Sequence, residues 1–327
     1  MLTILRACAP VLCALTLTAP AAAQTPTVTG GAAAGDPTAA EAGPIPQPSG
    51  GASFGDRADI AAAETPAADG SSVKPGTVAA YDAATVKQLG LASVAAHVQR
   101  AAEQAALQPP AYFGTEVVAR YLGLRRNLPA GSDAREVAAT DKITAAEVAH
   151  TRAAAAALTD HELGAARREL GFMRLPRTGG QTLQTLRVAV SKIGMPYVWG
   201  GEADTARGGK YGPQAAGGYD CSGFLWRVFK LSGLPAGERI TGRTAAQMAS
   251  EAARSDRVGL RGVWPGDLLF FGTAGPRSAA TESSITHAGL ALSADWAIHS
   301  SRQGVYVSSL TSGWLHDTFS WGRRILR

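Results

Sequence analysis

Cysteine is nearly missing from this chain. Only three occur in 327 residues. Cys8 and Cys13 sit near the start, so Cys221 is alone in everything that follows. A disulfide-built fold is therefore excluded downstream of the leader, as are paired-cysteine zinc and redox motifs. There is also no apolar run approaching the ~20 residues a helix needs to cross a bilayer. The longest candidate, Ala7 to Ala19, falls well short. Aromatic residues make up 6%, with no aromatic ladder and no basic helix, which excludes a nucleic-acid partner.

What is present begins with an export signal. Arg6 precedes the short apolar stretch, and Pro20 then leads into Ala21-Ala22-Ala23 before Gln24. That layout is a cleaved signal peptide over residues 1–23. Neither Cys8 nor Cys13 follows the small apolar tripeptide of a lipidated cysteine, so a lipoprotein anchor is disfavoured. No stable membrane insertion is expected after cleavage. The mature chain then carries one thiol in an oxidising compartment, either reactive or buried and inert. The expected location is secreted or in the cell envelope, periplasm or wall.

Charge divides unevenly. From Gly180 onward there are 16 Lys and Arg against 10 Asp and Glu, whereas Gln24 to Gly179 has 14 against 16. A basic half outside the inner membrane favours anionic wall polymers and headgroups. Residues 24–77 are Ala, Gly, Pro, Ser and Thr with few large apolar side chains, the composition of a disordered linker. Residues 78–178 are helical in pattern. Val86, Leu89 or Leu91, Val94 and Val98 recur at helical spacing until Pro109-Pro110. Thr144 with Glu147 and Thr159 with Glu162 are two capping boxes, each opening an Ala-rich helix. His97, His150 and His161 in this region are expected to be solvated, since none has a partner ligand one turn away.

Residues 179–327 change period. Leu183, Leu186, Val190 and Ile193 form a helical stripe, and Phe224, Leu225, Val228 and Phe229 form a second. Then come short β-prone runs at Leu268–Phe271, His287–Leu292, Trp296–His299 and Val305–Val307. Helices followed by antiparallel strands make an α+β domain.

The chemistry lies there. Cys221 immediately precedes the second helix, with Asp220 or Ser222 as the natural N-cap. A helix N-terminus favours thiolate over thiol and can stabilise a developing oxyanion. A base is still needed. His287 opens one strand and His299 closes the next, with Ser293-Ala294-Asp295 between them. Side chains alternate at period two, so an odd-numbered loop places both histidines on one face. His287 would accept the thiol proton and His299 would hold its tautomer, the geometry of a nucleophilic triad. A zinc site of Cys221, His287 and His299 is disfavoured, because no close ligand pair exists. No cofactor is expected. His316 reads as solvated.

Five motifs in order, Tyr197-Val198-Trp199-Gly200-Gly201, Asp220-Cys221-Ser222-Gly223, Pro265-Gly266-Asp267-Leu268, Thr286-His287-Ala288-Gly289 and Ile298-His299-Ser300, resemble the NlpC-type, papain-like cysteine peptidases of the bacterial cell wall. Arg243 through Gln247 resembles that family's Arg…Gln segment. The resemblance implies a reduced papain-like α+β domain, its helices packed on an antiparallel sheet. It implies hydrolysis of peptide bonds in peptidoglycan stem peptides, many members cutting between D-γ-glutamate and the diamino acid, through a thioester acyl-enzyme. Residue by residue it makes Cys221 the nucleophile, His287 the base and His299 the third member. It makes Tyr197, Asp220, Ser222 and Arg243 candidates for substrate binding. Asp267 and Trp199 are expected to be structural.

Two stretches depart from the pattern, the glycine-rich Gly201–Asp220 and the loop Gly272–Thr286. Two further readings stand beside the endopeptidase. One is an N-acetylmuramoyl-L-alanine amidase, or another amidase, using the same Cys-His pair. The other is a catalytically silent wall-binding module, which would need none of Cys221, His287 and His299.

Overall fold

A computed structural model describes residues 76–126, 137–209, 212–214 and 216–326. The leader and nearly all of the linker expected from the sequence lie outside these described residues. No described helix is long and apolar enough to cross a membrane.

Six helices come first: α1 (Val78–Gln88), α2 (Ala92–Gln104), α3 (Phe113–Tyr121), α4 (Ala145–Ala157), α5 (Asp160–Gly171) and α6 (Gly180–Val190). The apolar spacing from Val86 to Val98 reads as one helix, but the chain breaks it in two. Gly90 takes φ +67°, its N–H reaches Lys87 O, and the Leu91 N–H reaches Val86 O. This paired closure is a Schellman ending, in which only glycine adopts the left-handed position without steric cost. The following leucine, Leu91, is fully buried. Leu122-Gly123-Leu124 repeats the device, with Leu124 N–H on Ala119 O.

Helix starts also follow the sequence. The Thr144 hydroxyl accepts from the Glu147 N–H at 3.2 Å, and Thr159 and Glu162 complete a reciprocal capping box. Glu147 is itself buried. Two histidines expected to be solvated are half-buried instead. His97 Nε2 lies 3.0 Å from Met173 O, and His150 Nε2 lies 3.2 Å from Gly123 O. Both tie helices together through carbonyl groups left over at helix ends. His161 is exposed, as expected.

The remainder is a mixed array of helices on an antiparallel sheet. Two small ladders, β1 (Glu202–Ala203) with β4 (Gly218–Tyr219) and β2 (Arg207–Gly209) with β3 (Gly212–Gln214), occupy the glycine-rich stretch. Then come α7 (Cys221–Phe229), α8 (Ala245–Ser250), β5 (Arg257–Val258), β6 (Leu268–Gly272), β7 (Ile285–Ala291), β8 (Trp296–Ser301), β9 (Gly304–Ser309), α9 (Gly313–Thr318) and β10 (Phe319–Arg323). The main sheet has six strands in the order β5-β10-β6-β7-β8-β9, all antiparallel.

One apolar cluster runs from Val86 and Phe113 in the helices through Phe224 and Phe229 of α7 to Phe270, Leu290 and Trp321 in the sheet. The helical segment thus shares its core with the strands. A smaller cluster of Leu269, Phe271, Ala291, Ala297 and Leu315 takes the alternate residues of β6, β7 and β8, on the sheet face under α9. At about 25 cal/mol per Å² of apolar area removed from water, such burial is the main force joining these layers.

Candidate active site

Cys221 is the first residue of α7, and Asp220 caps that helix with extended backbone. Asp220 Oδ1 accepts the Gly223 N–H at 2.5 Å. The cap settles the choice left open between Asp220 and Ser222, because Ser222 lies inside the first turn. Cys221 itself is 7% exposed.

The segment Tyr197–Gly201 forms the cradle behind this turn. Tyr197 bridges Tyr219 in parallel register, Val198 N–H donates to Tyr219 O at 3.2 Å, and Asp220 N–H donates to Gly201 O at 3.1 Å. The backbones approach so closely that a Cβ on Gly223 would lie 1.8 Å from Gly201 O. Glycine is thus required two residues after the cysteine on steric grounds alone. Ser300, next to His299, donates its hydroxyl to Tyr219 O at 2.7 Å, fastening the histidine strand to the strand that leads into Cys221. Helix α7 packs across β7 and β8, which carry the two histidines.

Arg243 is wholly buried and spends every N–H on its own chain. Nε donates to Glu202 Oε2 at 2.8 Å, and Nη1 to Asp220 Oδ1 at 3.1 Å and Ser222 Oγ at 2.9 Å. Nη2 donates to Asp220 Oδ2 and to the carbonyls of Gly200 and Gly201 at 3.1–3.2 Å. Burial works against the guanidinium, but Asp220 and Glu202 more than offset it, and its pKa rises. Arg243, expected among the substrate-binding candidates, has no donor left over and no exposed surface, and what it touches is Asp220, Glu202, Ser222 and the cradle. Ser222 is similarly enclosed. Its hydroxyl donates to Asp220 Oδ1 at 3.0 Å, accepts from Arg243, and is buried. Asp220, with its side chain 12% exposed, and half-buried Tyr197 are the members of that set nearest to solvent.

His287 and His299 lie on one face of the β7–β8 hairpin. Gly289 stands opposite His299, so His287 is diagonal to it and of the same parity. The hairpin closes through Leu292 N–H and Ser293 N–H on Trp296 O, with three residues in the turn. His287 Nε2 lies 3.0 Å from His299 Nδ1, and His299 Nε2 lies 2.9 Å from Ser308 Oγ. The two rings meet edge to face at 5.0 Å. Trp314 of α9 contacts both, at 5.0 Å and 5.5 Å. Both histidines are fully buried. Burial pushes His287 down to about 3. It also holds His299 well below its usual value, assisted by the neighbouring His287. Burial thus disfavours a lone charge on either imidazole.

Glycine at position 289 is part of this arrangement. A Cβ there would stand 3.1 Å from the His299 Cβ, against the ~4.5–5.5 Å usual for facing strand residues. Asp267 takes the structural place expected of it. It accepts the Trp264 N–H at 2.8 Å and pairs with Arg324.

Several members of the site were not singled out by sequence reasoning. Ser308, Tyr306 and Trp314 surround the histidine pair, and Glu202 supports Arg243. The available signal was register: Tyr306 and Ser308 alternate on the strand that pairs with β8, and Tyr306 faces His299. Glu202 carried no comparable signal.

Comparison with known proteins matches part of the chain to one family. Residues 194–324 match the NlpC/P60 family. Among curated proteins, a "Probable endopeptidase" of Mycobacterium tuberculosis is 28% identical over 153 residues, covering 45% of this chain and 31% of the relative. The gamma-D-glutamyl-L-lysine dipeptidyl-peptidase of Bacillus subtilis is 29% identical over 120 residues, covering 36% of this chain and 32% of the relative. The chain thus matches about a third of each relative's length. Among solved structures, the peptidoglycan hydrolase RipB from Mycobacterium tuberculosis is 21% identical, with a TM-score of 0.34, covering 49% of this chain and 77% of that one. Residues 194–324, which hold Cys221 and both histidine strands, are an NlpC/P60 family domain.

Proposed function

We propose that this chain is an exported cysteine endopeptidase that cuts peptidoglycan stem peptides, most specifically the D-γ-glutamyl–diamino acid bond, within a reduced papain-like fold. The observation that carries the reading is the buried run His287–His299–Ser308 on strands packed against the helix that Cys221 opens. The endopeptidase names of the relatives support it, and the γ-D-glutamyl-L-lysine name of the Bacillus subtilis relative supports the bond.

His287 Nε2 is committed to His299, so Nδ1 is the nitrogen to exchange a proton with Cys221. In that tautomer His287 Nε2–H donates to His299 Nδ1, and His299 Nε2–H donates to Ser308 Oγ. Cys221 gives its proton to His287 and its sulfur attacks the scissile carbonyl carbon. The N-terminal N–H groups of α7 hold the resulting oxyanion. Collapse breaks the C–N bond, and His287 returns its proton to the departing amine, leaving a thioester on Cys221. A water molecule then loses a proton to His287 and attacks the thioester carbonyl, releasing the acid and restoring the thiol. Burial makes a lone imidazolium costly, yet a thiolate formed beside it offsets that cost, so the two charges appear and vanish together. Asp220 and Tyr197 receive the free amino end of the stem peptide. Arg243 and Ser222 serve by holding Asp220.

The test is mature protein incubated with purified muropeptides and product masses read out. Cleavage at the D-glutamyl–diamino acid bond is expected. A break between muramic acid and L-alanine would make the protein an amidase, and intact muropeptides would end the enzymatic reading.

A further inference from the structure

The helical segment reaches the histidine pair through Tyr306. Tyr306 faces His299 across the β8–β9 ladder, with ring centroids 4.3 Å apart and planes at 55°. Its hydroxyl lies 2.9 Å from Ser301 Oγ. Arg120, from α3, places its guanidinium carbon 5.9 Å from the centroid of the Tyr306 ring. That is within cation–π range.

Arg120 belongs to a fully buried set of charges. Its Nε donates to Glu116 Oε1 at 2.7 Å. Glu116 also pairs with Arg125 at 3.4 Å, and Arg125 pairs with Asp82 at 3.4 Å. All four residues lie before position 194, outside the matched domain. Buried ion pairs are a costly way to build a core, and apolar residues of similar volume serve packing as well or better. Unlike an apolar core, this set places a guanidinium within cation–π range of the ring that touches His299.

We propose that Tyr306 is a positioning residue for His299, that Arg120 fixes Tyr306, and that the segment carrying α1 to α3 is therefore a working part of the catalytic unit. This rests on the Cys221–His287–His299 reading above. His299 can hold the His287 tautomer only while its ring keeps one rotation about χ2. The aromatic contact restricts that rotation, as Ser308 does at Nε2. Terminal torsions of this kind are otherwise broad.

The experiment compares wild type, Tyr306→Phe, Tyr306→Leu and Arg120→Met in the full chain, by muropeptide turnover and by the pH dependence of Cys221 alkylation with iodoacetamide. Tyr306→Phe keeps the ring, and its kcat should stay within about three-fold of wild type. Tyr306→Leu should lose about 10- to 100-fold in kcat with KM changed less than about three-fold, the pattern of lost orientation rather than lost binding. Its alkylation midpoint should move upward, toward that of His299→Ala. Arg120→Met leaves the Tyr306 side chain in place and should move both readouts in the same direction by a smaller amount. It carries the test alone if Tyr306→Leu does not fold. Folded Tyr306→Leu or Arg120→Met protein with wild-type kcat and alkylation profile overturns the proposal. If wild type leaves muropeptides intact, the peptidase reading fails, while the alkylation profiles still decide whether Tyr306 positions the histidines.

Discussion

Asp220 and Arg243 meet inside the protein, with both carboxylate oxygens taken by the two terminal guanidinium nitrogens, one residue before the cysteine. Asp220 Oδ1 also caps α7 through Gly223, so one carboxylate sets the helix start and receives the buried cation. The position of the thiol at the positive end of α7 depends on that pairing.

Arg243→Met removes the cation and leaves Asp220 and Glu202 facing each other without it. Breaking a buried pair in this way costs about 3–5 kcal/mol, measurable as a lowered urea midpoint. Arg243→Lys restores the charge but not the forked geometry over two backbone and four side-chain oxygens, so it should recover only part of the loss. Full recovery by lysine would show that charge alone, and not the fork, holds the cradle.

Gly289→Ala tests the opposite end of the site. The added methyl would lie 3.1 Å from the His299 Cβ, so His299 must shift by a few tenths of an ångström or more. An alanine is otherwise well tolerated in a strand, and the stability loss should stay near 1 kcal/mol. Activity should fall by about ten-fold or more, because His299 is held to His287 by one bond. A variant with unchanged kcat would mean that His299 tolerates displacement and does not orient the base.

Much of this site was legible in the residue order, for identifiable reasons. The period-two spacing of His287 and His299 and the odd turn Ser293–Asp295 placed both rings on one face, and the ladder register agrees. The helix start near Cys221 followed from two possible capping residues, Asp220 and Ser222, of which Asp220 is the cap. Arg243 was harder. A charged residue is ordinarily read as a ligand contact, and nothing local shows that Glu202, 41 positions away, draws it inward. The contact of Arg120 with Tyr306 is longer still in sequence and joins two regions whose patterns are each complete without it. Long-range pairing of polar side chains leaves no periodic trace, and the helix stop at Leu89-Gly90-Leu91 is hidden because the apolar spacing continues through it.

Acid should destabilise the protein through its histidines. His287 is held at about 3 when folded, against about 6.5 in an unfolded chain. Between those values the unfolded state binds the extra proton. The contribution is therefore fully present above about pH 6.5 and is lost as pH falls through the window. Asp82 works in the other direction. Burial raises it to about 7, so its contribution is present at low pH and lost as pH rises through 7. Comparing wild type with His287→Gln cancels Asp82. Between pH 7 and pH 4.5 wild type should lose roughly 2 kcal/mol more than the variant. Parallel stability curves would place a charged imidazole in the folded protein.

The thiol itself gives the last prediction. A free cysteine ionises near 8.5, and a helix N-terminus with a neighbouring imidazole brings such groups to between about 3.5 and 7.5. Cys221 opens α7 with its cap in place, so iodoacetamide should label it well below pH 8, and labelling should end turnover. His287→Ala removes the group that receives the thiol proton, and the labelling midpoint should rise toward the free-cysteine value. His299→Ala leaves that acceptor in place but untethers it, so turnover should suffer more than labelling. Cys221→Ala should lose hydrolysis by several orders of magnitude while the protein still binds wall material, since the basic surface does not involve the thiol. Measured together, the four proteins separate the roles. A midpoint that stays near 8.5 in wild type and does not respond to His287→Ala would make Cys221 an inert core residue, and normal hydrolysis by Cys221→Ala would assign the chemistry elsewhere.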